Sequence, residues 1–299
     1  MKRGVTQWQG EPLAGKRLVV YSERGIGDTF QFVRYLRLLA ATGARITLAV
    51  PEACRRLLAA NFPSIGAGSI EVALRIDCDY HVSLLSLPAI FNTTLESVPR
   101  DVPYLSADAA LVAKWRQLLG SEGFRVGIAW QGNPSYQRDR ERSIPLINYA
   151  PLAAVPGVRL ISVQAMSGLD QLDALPAGMK VERLGDELEN NPDGFRQMAA
   201  VMPGLDLVIT SDTAQAHLAG ALGRPVWLAT ARHPDWRWML GREDSPWYPT
   251  MRLFRQETAA DWPGVFARMA RELAAVVAAR GRRARRALAL PLPPGSPCL

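Results

Sequence analysis

The sequence predicts an α/β protein made of two Rossmann-like lobes, each built on a mainly parallel sheet. Three observations carry this. Short runs rich in Val, Ile and Leu alternate with segments of helical periodicity over most of the 299 residues, the pattern of strands covered by helices on both faces. The alternation comes in two series, separated by the glycine-bearing joint "GSEGF" at 120–124. Neither series repeats at solenoid spacing.

Taken in order, "KRLVVY" reads as the first strand and leads into the loop "SERGIGD", after which a helix is expected near 29–42. "RITLAV" and a helix near 52–60 follow, and "SIEVAL" and "DYHVSLLSLP" supply further apolar runs. After the helical "DAALVAKWRQLLG", the second series opens with "FRVGIAWQG". It continues through "VRLISVQ", "KVERLG", a helix near 193–202, "LDLVITSD", a helix near 213–222 and "PVWLAT". In "DWPGVFARMARELAAVVAA", Asp261 suits an N-cap and Pro263 the first turn, and Val265, Phe266, Met269, Leu273, Val276 and Val277 recur at helical spacing. The expected organisation is a first lobe over 1–120, a second over 121–260, a closing helix over 261–280 and a basic, proline-rich tail over 281–299.

Composition narrows the class. With 48% hydrophobic and 21% charged residues the chain reads as globular rather than disordered. No apolar run is long enough to span a bilayer, and "MKRGVTQWQGEP" lacks the apolar core of a secretory signal, so a cytoplasmic protein is expected. Cys54, Cys78 and Cys298 form no CxxC pair, which supports neither a zinc site nor a disulfide framework. The net charge of +7 owes much to Arg280, Arg282, Arg283, Arg285 and Arg286; without them the remainder is near +2. Basic residues interleaved with stacking aromatics are not seen, so no nucleic-acid partner is expected. Two readings of the arginine run stay open: a solvated tail, or electrostatic contact with an anionic membrane, here the inner membrane face.

Three loops carry the chemistry. In "YSERGIGDTFQF", Gly25 and Gly27 follow a strand as in a dinucleotide-binding turn, but Phe30 stands where the third glycine would be. Asp28 would also repel a pyrophosphate from the helix start. Asp28 is then either an N-cap or a general base at the carboxyl end of the first strand. In "LDLVITSDTAQAHLAGALGRPVW", Ser211, Asp212 and Thr213 open a helix of small residues whose free N–H groups suit a diphosphate. Asp212 caps that helix or turns to a sugar hydroxyl, and His217 is a helix residue facing a loop or a ligand contact. In "AWQGNPSYQRDRERSIPL", Gly132 and Asn133 fit a tight turn, and Arg142 is the candidate for neutralising phosphate. His81, His217 and His233 have no ligand spacing, and "DCD" at 77–79 abuts an apolar strand, so no metal is expected.

Together, "ERGIGDTFQFVRYLRLLAATGARITL", "SLLSLP", "TTLESVPRDVPYL", "VGIAWQGNP", "DRERSIPL", "DLVITSDTAQAHLAGALGRPVWLA" and "PDWRWMLGREDSPWYPTMRLFRQ" resemble a bacterial glycosyltransferase domain often found behind tetratricopeptide repeats. That domain is similar to the family 9 heptosyltransferases of lipopolysaccharide assembly. The resemblance runs from about Trp8 to Ala275. It implies a GT-B fold, with acceptor on the first lobe and nucleotide-diphosphate sugar on the second, and a metal-independent, inverting hexosyl or heptosyl transfer without a cofactor. The acceptor would be a hydroxyl of a glycan, lipopolysaccharide or protein. By motif position Asp28 is the base, with Gly25 and Gly27 as its loop. Asp212, Thr213, Ala214 and His217 lie at the donor, joined by Trp130, Gly132 and Asn133. Arg142 stands where the heptosyltransferases carry a phosphate-binding lysine. The repeats that the resemblance places ahead of the domain are not in this sequence. Two other readings stand beside this one: a degenerate GT-B module that binds a nucleotide or protein partner, and a nucleotide-sugar epimerase, whose acidic and histidine pattern is not evident.

Overall fold

The computed structural model describes residues 5–73 and 75–288. Alternating strands and helices resolve, among those residues, into two all-parallel sheets. The first lobe contains β1 (Thr6–Gln7), β2 (Arg17–Tyr21), α1 (Ile26–Phe32), β3 (Arg45–Ala49), α2 (Glu52–Asn61), β4 (Gly66–Gly68) and β5 (Tyr80–Ser83). Its strand order is β1-β5-β2-β3-β4. After α3 (Ala109–Leu119), the second lobe runs β6 (Phe124–Ala129), β7 (Val158–Ser162), β8 (Val181–Glu182), α4 (Gly194–Val201), β9 (Leu207–Thr210), α5 (Ala214–Ala221), β10 (Val226–Thr230) and β11 (Met251–Arg255). Its order is β11-β10-β9-β6-β7-β8. The last helix, α6, spans Trp262–Leu288.

Three expected elements differ. The last helix runs on to Leu288, past its expected end at 280 and into the expected tail. The apolar periodicity over 29–42 does not give one continuous helix: α1 ends at Phe32, a 3₁₀ turn covers Val33–Tyr35, and a further helical turn covers Leu36–Ala40. "SIEVAL" is not a strand either. Gly66–Gly68 already occupies the free edge of β3, so Ile70–Ala73 coils into a helical turn with Val72 exposed.

Strand periodicity sets the packing of the second lobe. Val126 and Ile128 of β6, Leu207 and Ile209 of β9, Trp227 and Ala229 of β10 and Phe254 of β11 point to one face. There they meet Trp262, Val265, Phe266, Met269 and Leu273 of α6. The alternate residues Val208, Val226, Leu228, Met251 and Leu253 face the other way, into a core shared with the first lobe. The expected start of the last helix is also seen, since Asp261 Oδ1 accepts from the Gly264 N–H at 2.8 Å. Burial therefore runs without a break from Leu18 and Val20 of β2 through Phe30, Phe32 and Leu36 to α4, α5 and β11.

Arg34 fastens this shared core. It is 2% exposed, and only a full set of acceptors makes such burial of a guanidinium tolerable. Its Nη1 donates to the carbonyls of Trp247 (2.8 Å) and Pro99 (3.1 Å), Nη2 to the Tyr104 hydroxyl (3.0 Å) and Nε to the Gln31 carbonyl (2.7 Å). The rings of Tyr104 and Tyr248 lie 4.7 Å from the cation.

No helix among the described residues is long and apolar enough to cross a membrane. Arg280 of the basic run pairs with Asp206 Oδ1 at 2.7 Å and lies over Phe124, which ties it to the second lobe. The side chains of Arg283, Arg285 and Arg286 lie outside the described residues.

Candidate functional site

Parallel strands bring their carboxyl ends to one edge, and loops leaving those ends are where open α/β sheets bind ligands. Four such loops converge here: 22–25 after β2, 130–138 after β6, 211–213 after β9 and 231–235 after β10. The tightest junction is between α1 and α5. A Cβ on Gly27 would lie 2.8 Å from His217 Cδ2 and 3.5 Å from Ala214 Cα, so only glycine lets the two helix starts meet. Gly27 is thus explained by contact between the lobes. Substituting Gly27 by alanine is expected to cost about 1–3 kcal/mol of unfolding free energy in urea, the range for overpacking a close-fitted contact. An unchanged or higher midpoint would contradict this.

Asp28 sits at the third position of α1. Its Oδ2 accepts from the Gly25 N–H at 2.9 Å, so the cap reading describes part of its bonding. The buried Thr29 hydroxyl pairs with Ser22 Oγ at 2.6 Å and fixes the helix start to the end of β2. Asp28 Oδ1 pairs with Arg237 Nη2, from the loop after β10. The same guanidinium donates from Nε to Gln31 Oε1 (2.6 Å) and from Nη1 to Asp235 Oδ1 (2.7 Å). Trp236 and Phe32 lie 4.6 and 5.6 Å from its centre. Sequence motifs alone do not single out Arg237; the one signal is that "PDWRWM" begins four residues after the carboxyl end of an apolar strand.

On the facing side, α5 begins with Thr213 as its N-cap, and the threonine side chain makes no capping bond. Asp212 precedes the cap and does not fill it. The Thr213 hydroxyl instead contacts Thr210 Oγ1 (3.2 Å) and the Ser211 carbonyl (3.4 Å). The helix start therefore keeps donors without a side-chain partner, the arrangement that receives anions. Arg142 Nη1 donates to the Asp212 carbonyl at 2.8 Å, which brings the third loop to this point. Asp139 accepts from Arg142 Nε at 3.1 Å, and Tyr136 covers the cation at 4.8 Å. Gly132 leaves room for this pair, because a Cβ there would lie 2.7 Å from Arg142 Nη2. Asn133 makes the expected turn, its Oδ1 accepting from the Ser135 N–H at 3.0 Å.

Trp130 is placed differently from its neighbours. It is fully buried on the α6 side of the sheet, away from α5, and gives its indole N–H to the Gly168 carbonyl at 3.1 Å. Its side chain supports the loop from behind and does not line the crevice.

His217 is enclosed between the lobes. Its Nδ1 lies 2.9 Å from the Tyr248 hydroxyl, and its ring lies against Trp238. Burial, followed by the positive charges of Arg237, Arg34 and Arg142, holds His217 well below its ordinary pKa, so the ring is neutral. Burial raises the Tyr248 phenol well above its usual range, and it remains a donor. His217 Nδ1 then accepts, and Nε2–H faces Asp212 Oδ1 at 3.9 Å. Burial likewise raises the Asp212 carboxyl, with Trp238, Arg142 and Arg237 acting in the opposite direction. Among the described residues, no group of three or more His, Cys, Asp or Glu side chains is arranged to hold a metal ion.

No family model matches the chain. A curated relative, Protein FlbA of Caulobacter vibrioides, is 28% identical over 289 residues, covering 89% of this chain and 48% of its own length. The chain thus spans about half of that relative. Among solved structures, the ADP-heptose lipopolysaccharide heptosyltransferase II of E. coli superposes with a TM-score of 0.61 at 16% identity, over 89% of this chain and 99% of its own. The E. coli heptosyltransferase WaaC, solved with ADP, gives 0.51 at 13% identity over 86% and 99%. At these identities the likeness is one of fold: the chain has the GT-B fold of the solved heptosyltransferases, with two facing Rossmann-like lobes.

Proposed function

We propose that this chain is a nucleotide-sugar glycosyltransferase in which Asp28 deprotonates an acceptor hydroxyl and the start of α5 holds the donor diphosphate. The observation that carries the reading is the meeting of α1 and α5. A carboxylate on one lobe stands beside an anion-receptive helix start on the other, with Gly27 in contact with both Ala214 and His217. Attack by an alcohol on an activated sugar needs a base on one side and charge stabilisation of the leaving diphosphate on the other. Arg142 supplies the cation, and the first N–H groups of α5 supply dipoles. In this reading the transfer is inverting, a single displacement in which the hydroxyl proton passes to Asp28 and the diphosphate leaves with the glycosidic electron pair. No step calls for a metal. The acceptor is a hydroxyl on a glycan, lipopolysaccharide or protein, and a heptose or hexose is the sugar.

A thermal-shift screen of nucleotide-diphosphate sugars tests the donor half of the reading. At least one is expected to raise the midpoint, and Arg142→Ala is expected to weaken that ligand by about tenfold or more, the loss of a charge-assisted phosphate contact. Failure of every donor to bind would contradict the proposal.

One observation favours a second reading, a GT-B module that binds without turning over. The lobes share a continuous core fastened by Arg34, and both Asp28 oxygens already have partners. Donor binding without any transfer or hydrolysis would support that reading.

A further inference from the structure

Arg237 has a position that the base-and-donor scheme does not use. It leaves the carboxyl end of β10 as part of the second lobe, yet its Nη2 reaches across to Asp28 of the first. It is 8% exposed, and each of its three polar positions has one acceptor: Gln31, Asp235 and Asp28. Its neighbour Trp238 lies against His217 of α5, ring centroids 5.4 Å apart, and its partner Asp28 follows Gly27, where a Cβ would lie 3.5 Å from Ala214 Cα, so Arg237 stands near the start of α5. Beside it, the fully buried Gln31 keeps Nε2 without a protein partner. A buried amide donor left unpaired beside a bound guanidinium marks a place where a further acceptor belongs.

The state of Asp28 bears on this. One oxygen accepts from the Gly25 N–H and the other from Arg237. A carboxylate held in this way is poorly placed to take a hydroxyl proton. A diphosphate carries more negative charge than a carboxylate, and a guanidinium binds phosphate oxygens in a planar fork.

We infer that Arg237 is a positioning residue shared between two anions, pairing with Asp28 in the empty site and turning to the donor diphosphate when one binds, so that Asp28 is released as base only in the loaded site. The inference rests on the donor-site reading above. It couples the two lobes through one cation and withholds the base from water until a donor is present.

Competition for one cation has a thermodynamic sign. Removing the Asp28 charge must tighten the binding of a diphosphate that needs Arg237. The test is calorimetry of ADP, UDP and GDP with the full chain, comparing wild type, Asp28→Asn, Arg237→Ala and the double variant. Asparagine keeps the size of aspartate and an oxygen for the Gly25 N–H, and thermal melts check that each variant folds. Asp28→Asn is expected to bind the favoured nucleoside diphosphate about five- to tenfold more tightly, the lower range of coupling between linked sites. Arg237→Ala is expected to bind it about tenfold or more weakly, as expected for loss of a charge-assisted contact. The double variant should match Arg237→Ala within about twofold, because the coupling of linked sites vanishes once the shared cation is gone. Wild-type binding that Asp28→Asn leaves unchanged or weakens would overturn the sharing and leave the donor site standing. Should Asp28→Asn fail to fold, equal affinity in Arg237→Ala and wild type would overturn it. Absence of binding by all three nucleoside diphosphates would overturn both readings.

Discussion

Replacing Asp28 by asparagine is expected to lower the rate of sugar transfer by about 10²- to 10⁴-fold, the range attributed to a positioned general base. Nucleoside-diphosphate binding should not be lost and, with Arg237 shared as inferred above, should tighten. The expectation follows from where α1 begins. The carboxylate stands at the carboxyl edge of the first sheet and next to Gly27, where the start of α5 comes closest. The competing account, that Asp28 serves only as a cap, predicts a different outcome. Asparagine keeps an oxygen for the Gly25 N–H, so that account predicts stability within about 0.5 kcal/mol of wild type and intact turnover. Initial rates on the donor identified by screening, with melting curves of the same preparations, separate the two. Wild-type turnover in Asp28→Asn would remove the base assignment.

The second large effect is expected on stability. Replacing Arg34 by alanine should cost about 3–5 kcal/mol in urea unfolding, the scale for breaking a buried charged network. The guanidinium lies inside the shared core and donates to three backbone carbonyls and a phenol, and its removal takes a donor from each of these acceptors. It also takes away a cation in contact with the rings of Tyr104 and Tyr248. Tyr248 in turn holds His217, so the loss reaches the start of α5. Exposed Arg37 supplies the comparison, since its alanine variant should fall within about 0.5 kcal/mol of wild type. A cost below about 1 kcal/mol for Arg34→Ala would show that this clamp does not hold the lobes together.

The fold was largely legible because its signals are local. Val, Ile and Leu runs bounded by turns gave the parallel strands, and Asp261 with Pro263 marked the start of the last helix. The second helix start was legible for the same reason, since an apolar strand, a polar turn and a run of small residues are adjacent in the chain. Arg142 stood out by its charge and its loop as a candidate for neutralising phosphate, and its side chain meets the Asp212 carbonyl. What escaped depends on contacts far apart in sequence. Gly27 looked like part of a phosphate turn, while its space is set by His217, on the other lobe. Trp130 looked like a donor contact until the pleat of β6 put it on the α6 face. "SIEVAL" has strand periodicity, but the sheet edge it needed was taken by the residues just before it. Arg237 shows no local pattern of its own. Only the joining of both sheets brings it to Asp28, and the one available signal was its position after the carboxyl end of β10.

The central claim is that the diphosphate belongs to the start of α5 and that Asp28 faces it from α1. Hydrogen exchange of the full chain with and without the nucleoside diphosphate selected by calorimetry tests this most directly. The account predicts added protection of the backbone amides over 211–217 and in the 130–143 loop, where Arg142 meets the Asp212 carbonyl. Protection confined to 24–28, or none at 211–217 under saturating ligand, would contradict it.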